Sequence, residues 1–332
     1  MPQESYEYAI GRVSVMSTKM LKQNQLRRIA EAPTVKEATA ILIEAGYGEG
    51  NITEEEIAYG ELDLMIREQM NLTRKRILEL TPDVELTGLF LLNVDNHNLK
   101  TLLKARLLKT DGEKYLRDGG FFPLELVKTC IATRKYDSLP KVYRNAFNSI
   151  EADIARKTID PMRFSAMIDC ALFTYAQEIL DEKEEHGFIR EYFNLRADFQ
   201  NALSLVRARL LHWGPDKLRM LLLDCGEIDK KYYLESMDTP FEQLGARLNH
   251  GSHGIALAAA LNDYVQRQDI AAIADVMRKM LMDILRKVRW DTDNLGPIIG
   301  YLKARDAEAQ ALRVIFGSKQ GGFEAPLPQL FI

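Results

Sequence analysis

An arginine recurs in a similar short helical word four times along this chain, in Ile10-Gly11-Arg12-Val13, Lys104-Ala105-Arg106-Leu107, Arg207-Ala208-Arg209-Leu210 and Ala311-Leu312-Arg313-Val314. The arginines stand 94, 103 and 104 residues apart. The middle copies are the strongest: Asp95–Leu108 and Asp198–Leu211 share seven of fourteen positions, with three further conservative matches. Chance would give about one identity at ordinary residue usage. Internal self-similarity constrains a fold more than any local signal, because each repeat must bury its apolar face against its neighbours. Four words bounding three intervals predict three structural repeats, at 1–105, 106–208 and 209–332, whose last helix returns to the first. A chain built so closes on itself as a ring.

Helical periodicity dominates the rest of the sequence. The pattern predicts a long helix over Glu54–Glu79, opened by a capping box of Thr53 with Glu56, and a second over Leu86–Lys109. Asp160-Pro161 carries the cap-then-proline signature of a helix start. That helix should end near Glu185-His186-Gly187, with Phe188–Leu211 as its partner. A third pair is expected over Gly254–Trp290, with a break near Arg267-Gln268-Asp269, and over Pro297–Phe316. Thr239-Pro240, Ala32-Pro33-Thr34 and Ser138-Leu139-Pro140 mark starts of shorter helices, while Gly119 and Gly226 are expected to stop helices at positive φ. No alternating strand pattern of useful length occurs, so the expected fold class is all-α.

On a helical wheel, Asp95, Leu99, Leu102, Leu103, Arg106 and Leu107 share one face. Asp198, Ala202, Leu205, Val206, Arg209 and Leu210 form the matching stripe. Asp and Arg lie about 16 Å apart along the axis, so they cannot pair within one copy. Either they satisfy buried partners within a scaffold, or the arginines line a surface that meets another protein. Equivalent residues in every repeat suit a scaffold better, which makes Arg12, Asp95, Asn98, Arg106, Asp198, Asn201, Arg209 and Arg313 expected structural signatures. The outer copies keep the arginine but lose the Asp and Asn positions.

Composition and motifs exclude most chemistry. With 46% hydrophobic and 28% charged residues the chain reads as a folded protein, and no apolar run is long enough for a transmembrane helix. Met1-Pro2-Gln3-Glu4-Ser5 lacks the regions of a signal peptide, so a cytoplasmic protein without direct membrane insertion is expected. A net charge of −4 removes the simple electrostatic case for nucleic acid. Cys130, Cys170 and Cys225 have no paired spacing, so neither disulfides nor zinc is indicated. There is no phosphate-binding loop, nucleophile elbow or Glu-x-x-His pair. The one cluster that invites a metal, Asn249-His250-Gly251-Ser252-His253-Gly254, lacks a third ligand nearby and reads as a solvent-exposed turn. Arg286-Lys287-Val288-Arg289-Trp290 reads as a basic helix end that could also face a partner. No catalytic residue, cofactor or metal is expected.

Several stretches resemble a known family. Asp95-x-x-Asn98-Leu99-Lys100-Thr101-Leu102-Leu103-Lys104-Ala105-Arg106, its copy Asp198 to Arg209, Tyr8-Ala9-x-x-Arg12-Val13 and the closing Tyr301–Lys319 stretch are similar to the C subunit of V/A-type ATPases. That family includes the d subunit of vacuolar ATPases. Where members usually carry a Lys-Glu-x-Glu run, this chain has Lys303-Ala304-Arg305-Asp306. The resemblance implies a funnel of three pseudo-symmetric helical lobes on the cytoplasmic face of the membrane rotor. It implies a non-catalytic central-stalk socket that transmits torque, with the central-shaft (D/F type) subunits and the proteolipid (c/K) ring as partners, as a single copy within a hetero-oligomer. The alternative is a free-standing helical-repeat adaptor, against which the period of about 100 residues stands, since such arrays repeat at about 34–47.

Overall fold

The structure, a computed structural model, describes residues 5–47 and 59–323. Among the described residues there is no strand, and the fold is all-α. In chain order the helices are α1 (Tyr6–Ser17), α2 (Gln23–Glu31), α3 (Val35–Glu44), α4 (Tyr59–Leu80), α5 (Val84–Leu89), α6 (Leu92–Leu108), α7 (Leu124–Thr133) and α8 (Lys141–Ala155). They continue as α9 (Pro161–Glu182), α10 (Phe188–Leu210), α11 (Pro215–Leu221), α12 (Lys230–Glu235), α13 (Leu244–Arg247), α14 (Gly254–Arg267), α15 (Ile270–Val288) and α16 (Gly296–Gly321).

Most starts follow local chemistry. Asp160 accepts from the Met162 and Arg163 N–H groups at 2.9 and 3.1 Å, with Pro161 in the first turn of α9. Thr34 caps α3 through the Glu37 N–H at 3.2 Å. The expected capping box of Thr53 and Glu56 lies outside the described residues. The long helix expected over Leu86–Lys109 is instead two, α5 and α6. The turn at Phe90-Leu91 tightens, its N–H groups bonding to the Thr87 and Gly88 carbonyls three residues back.

Several stops follow a different rule from the expected one. Gly119 and Gly226 do have positive φ, but both lie in loops beyond the helices. The ends of α6, α8, α9 and α10 are made by Lys109, Lys157, Glu184 and His212 in the left-handed region. In each case the next N–H reaches a carbonyl five residues back, as in Thr110 to Ala105 and Glu185 to Leu180. That bond satisfies a carbonyl the helix would leave orphaned, and so offsets the roughly 1–2 kcal/mol cost of the conformation for a non-glycine residue. Gln268 at φ 54° ends α14 at the expected break.

The chain forms two compact units. The first contains residues 1–91, 117–120 and 288–332, so it combines α1–α5 with α16. Its core joins Leu26 and Ile29 of α2, Leu42 of α3, Leu62 and Ile66 of α4, and Leu312, Ile315 and Phe316 of α16. In it α16 packs on α4, α1, α2 and α3. Lys319 of α16 donates to the Ala30 and Ala32 carbonyls, the C-terminal end of α2, where a cation is favoured.

The second unit contains residues 92–116 and 121–287. Here α6 packs on α7 and α9, α8 lies on α9, and α10 packs on α9, α11 and α12. Tyr143 is fully buried, edge-on to Phe122 at 5.6 Å, and its hydroxyl donates to Asn96 at 2.8 Å. Phe147 stacks on Tyr136 at 4.8 Å.

Candidate functional site

The repeated word places a carboxylate on the buried face of a long helix, and the structure gives that carboxylate backbone N–H groups from a later loop. Asp95, with no exposed surface, accepts from Phe121 and Phe122 N–H at 2.8 and 3.1 Å. Asp198, equally buried, accepts from Glu227 and Ile228 N–H at 2.8 and 3.2 Å. These loops, Leu116–Phe122 and Leu222–Ile228, already echo one another in sequence. Asn201 holds both polar groups of Leu223, donating to its carbonyl at 3.1 Å and accepting from its N–H at 2.8 Å. Asn98 is likewise buried. Gly226, at φ 135°, lies so close to Asp198 that a Cβ there would overlap the carboxylate.

Arg106 and Arg209 reach the ends of short helices downstream. Arg106 donates to the Ile131 carbonyl at 2.9 Å and pairs with Glu151 at 2.5 Å. Arg209 reaches the Ser236 carbonyl at 3.5 Å and lies 3.8 Å above the Phe241 ring. Arg313 pairs with Asp63 of α4 at 2.9 Å, and Asp63 also binds Arg67. These two arginines hold the Asp63 carboxyl below its usual range although burial opposes them. Arg12 differs: it is exposed, and its side chain makes no hydrogen bond or ion pair among the described residues.

The two aspartates do not have the same partners. Asp198 also accepts from the Tyr233 hydroxyl at 3.0 Å and lies 2.7 Å from His253 Nε2. Burial, with the Asp198 charge beside it, pushes the Tyr233 phenol far up. His253 is therefore buried and not part of a solvent-exposed turn, as the glycine-rich sequence around it suggests. His250 does remain at the surface, stacked on Tyr232 at 4.2 Å. Among the described residues no three metal-ligating side chains come together. The three cysteines are free, and burial raises Cys170 to about 11 and Cys225 to about 12.

Asp95 is held by two backbone N–H groups, and burial outweighs them, raising its carboxyl to about 7. A carboxyl whose folded pKa exceeds its unfolded value binds more protons when folded, so its stabilising share is complete below the unfolded pKa and is lost as pH rises through the folded one. The contribution of Asp95 should therefore fall between about pH 4 and pH 7. Denaturant midpoints across that window should decline less in Asp95→Asn than in the wild type. Parallel declines would show that Asp95 does not titrate there.

A third buried carboxylate carries no mark in the repeated word. Glu308 of α16 has no exposed surface. It accepts from the Leu21 N–H at 2.7 Å, from the Tyr47 hydroxyl and from Arg305. Leu21 lies 287 residues away, so the loop that follows α1 takes its carboxylate from α16. Glu308 sits five positions before Arg313, not eleven, and a search for the Asp position passes over it. Its place on the stripe with Arg305 and Leu312 was the available signal.

No helix among the described residues is long and apolar enough to cross a membrane. A family profile described as ATP synthase (C/AC39) subunit matches residues 9–325. The C subunit of the A-type ATP synthase of Thermococcus onnurineus (strain NA1) is 19% identical over 319 residues, covering 93% of this chain and 85% of its own length. Its counterpart from Desulfurococcus sp. (strain SY) is 20% identical over 334 residues, covering 96% and 88%. The C subunit of the V-type sodium ATPase of Enterococcus hirae is 20% identical over 261 residues, covering 77% and 78%.

Proposed function

Because the chain belongs to the family of ATP synthase C/AC39 subunits, we propose that it is the non-catalytic central-stalk subunit of a rotary V/A-type ATPase. In this reading it is a socket that receives the end of the central shaft, rests on the proteolipid ring at the cytoplasmic face of the membrane, and passes torque between them. The family match across residues 9–325 carries the proposal. The relatives' names, which place them in A-type synthases and a V-type sodium ATPase, support it.

Three repeats with boundaries at 1–105, 106–208 and 209–332 suit such a part. The buried carboxylates Asp95, Asp198 and Glu308, each fastening a loop, support that division. On this view Asp95, Asn98, Arg106, Asp198, Asn201, Arg209 and Arg313 are fasteners and not a contact surface. Rigid fastening matters to a torque coupler, because a compliant socket stores energy that it should pass on.

The test is reconstitution without the subunit. The detached head should hydrolyse ATP at its usual rate, while ATP-driven ion pumping across proteoliposomes disappears and returns when the subunit is added back. The protein should also co-purify with a shaft subunit and a proteolipid ring. Normal pumping by a complex lacking it would overturn the proposal.

A further inference from the structure

Within the first unit, the end of α1, the end of α3, the middle of α4 and the first half of α16 enclose a cavity of about 450 Å³. A second of about 350 Å³ adjoins it, and the two share Met16, Lys19 and Arg76. The combined lining is cationic: Arg305, Arg76, Lys19 and, in the adjoining cavity, Arg12. Among the described residues, the acid that lines it, Glu44, is exposed and lies 3.8 Å from Arg28. Glu308 balances the charge of Arg305 from within the core.

Two observations point to a missing acceptor. Arg305 is only 4% exposed, yet its Nε–H has no partner among the described residues. Buried donors are nearly always satisfied, and the side chain that carries this orphan lines the cavity. Arg12 and Lys19 also have side chains without a hydrogen bond or ion pair among the described residues. In the other copies of the repeated word the arginine is engaged, as Arg106, Arg209 and Arg313 show. The first copy has released its arginine to a cavity wall.

We propose that this paired cavity binds a small anion carrying two or more linked phosphoryl groups. Its volume lies within the roughly 300–1,000 Å³ of ordinary ligand pockets. Guanidinium groups match phosphate oxygens in pairs, and lysine serves them as a point charge. Several cations distributed over two connected chambers suit an elongated polyanion better than a single carboxylate. Tyr301 lines the same wall. The site is independent of the coupling role, since it rests on this cavity alone.

The test uses the full chain, with pyrophosphate, ADP and sulfate as probes in calorimetry and thermal unfolding. Pyrophosphate should bind, raise the unfolding midpoint, and weaken with added salt. Lys19→Glu and Arg12→Glu, both at exposed positions, should each weaken binding by about tenfold or more without lowering the ligand-free midpoint. Hydrogen exchange should show protection by pyrophosphate confined to residues 16–19, 44–47 and 69–76. ADP binding more tightly than pyrophosphate would support the site with a nucleotide as the source; equal affinities would support it with a free polyphosphate. No pyrophosphate binding, binding unchanged in both variants, or equal binding of sulfate would overturn the proposal.

Discussion

Asp198→Ala is expected to lower the unfolding midpoint by about 10 °C or more, one of the largest single-site effects in the chain. The carboxylate is fully buried and serves the N–H groups of Glu227 and Ile228, the Tyr233 hydroxyl and His253 Nε2. Removing it strands these groups in a space too closely packed to hydrate well, as the absent Cβ of Gly226 attests. Each stranded buried donor costs about 1–3 kcal/mol, so a total above about 4 kcal/mol is expected even with incomplete additivity. In a unit of this size about 2–4 °C is lost per kcal/mol. Asp198→Asn retains one carbonyl acceptor and should fall between. Calorimetric scans of both variants decide the matter, and an alanine variant within about 1 kcal/mol of the parent would refute the fastening role.

Glu308→Ala should be comparably severe but act in a different place. It leaves Arg305 as a buried charge without its partner and strands the Leu21 N–H and the Tyr47 hydroxyl. Breaking a buried pair from one side costs about 3–5 kcal/mol. The damage should be confined to the first unit. Hydrogen exchange should quicken through α2 and α3, while α8, α9 and α10 keep their protection. Replacing both partners, as Arg305→Leu with Glu308→Met, should recover much of the loss, because a well-packed apolar pair needs no charge balance. Uniform loss of protection across both units would contradict this account.

Residues whose signals are local were legible in the sequence. Asp160-Pro161 and Thr34 announce their helices by chemistry completed within three residues, and the structure uses them so. The repeated word told more, because a polar residue that returns at the same wheel position on an apolar stripe is there for a partner. It could not name that partner. The Asp198 site draws on Glu227, Tyr233 and His253, up to 55 residues downstream, and nothing in a glycine-rich loop says that its second histidine turns inward. The split between α5 and α6 was hidden because apolar residues run unbroken through Leu89, Phe90, Leu91 and Leu92, all buried, so periodicity carries no mark there. Asn96 was hidden for a related reason: its bonds to Tyr143 and the Ile168 carbonyl are private to one copy, and Phe199 stands in the other.

The hydrogen bond between Tyr47 and Glu308 joins residues 261 apart, and its companion at Leu21 spans 287. On a ribosome adding about 5–20 residues per second, the early helices wait roughly 15–60 s before the stretch of chain that completes their core is made. For that interval α2 and α3 present Leu26, Ile29 and Leu42 without the α16 residues that will cover them. The second unit, drawn from residues 92–116 and 121–287, is finished before then. A stop codon anywhere between the end of that unit and α16 would therefore yield a folded middle with an open beginning, a species made for chaperones and proteases to find.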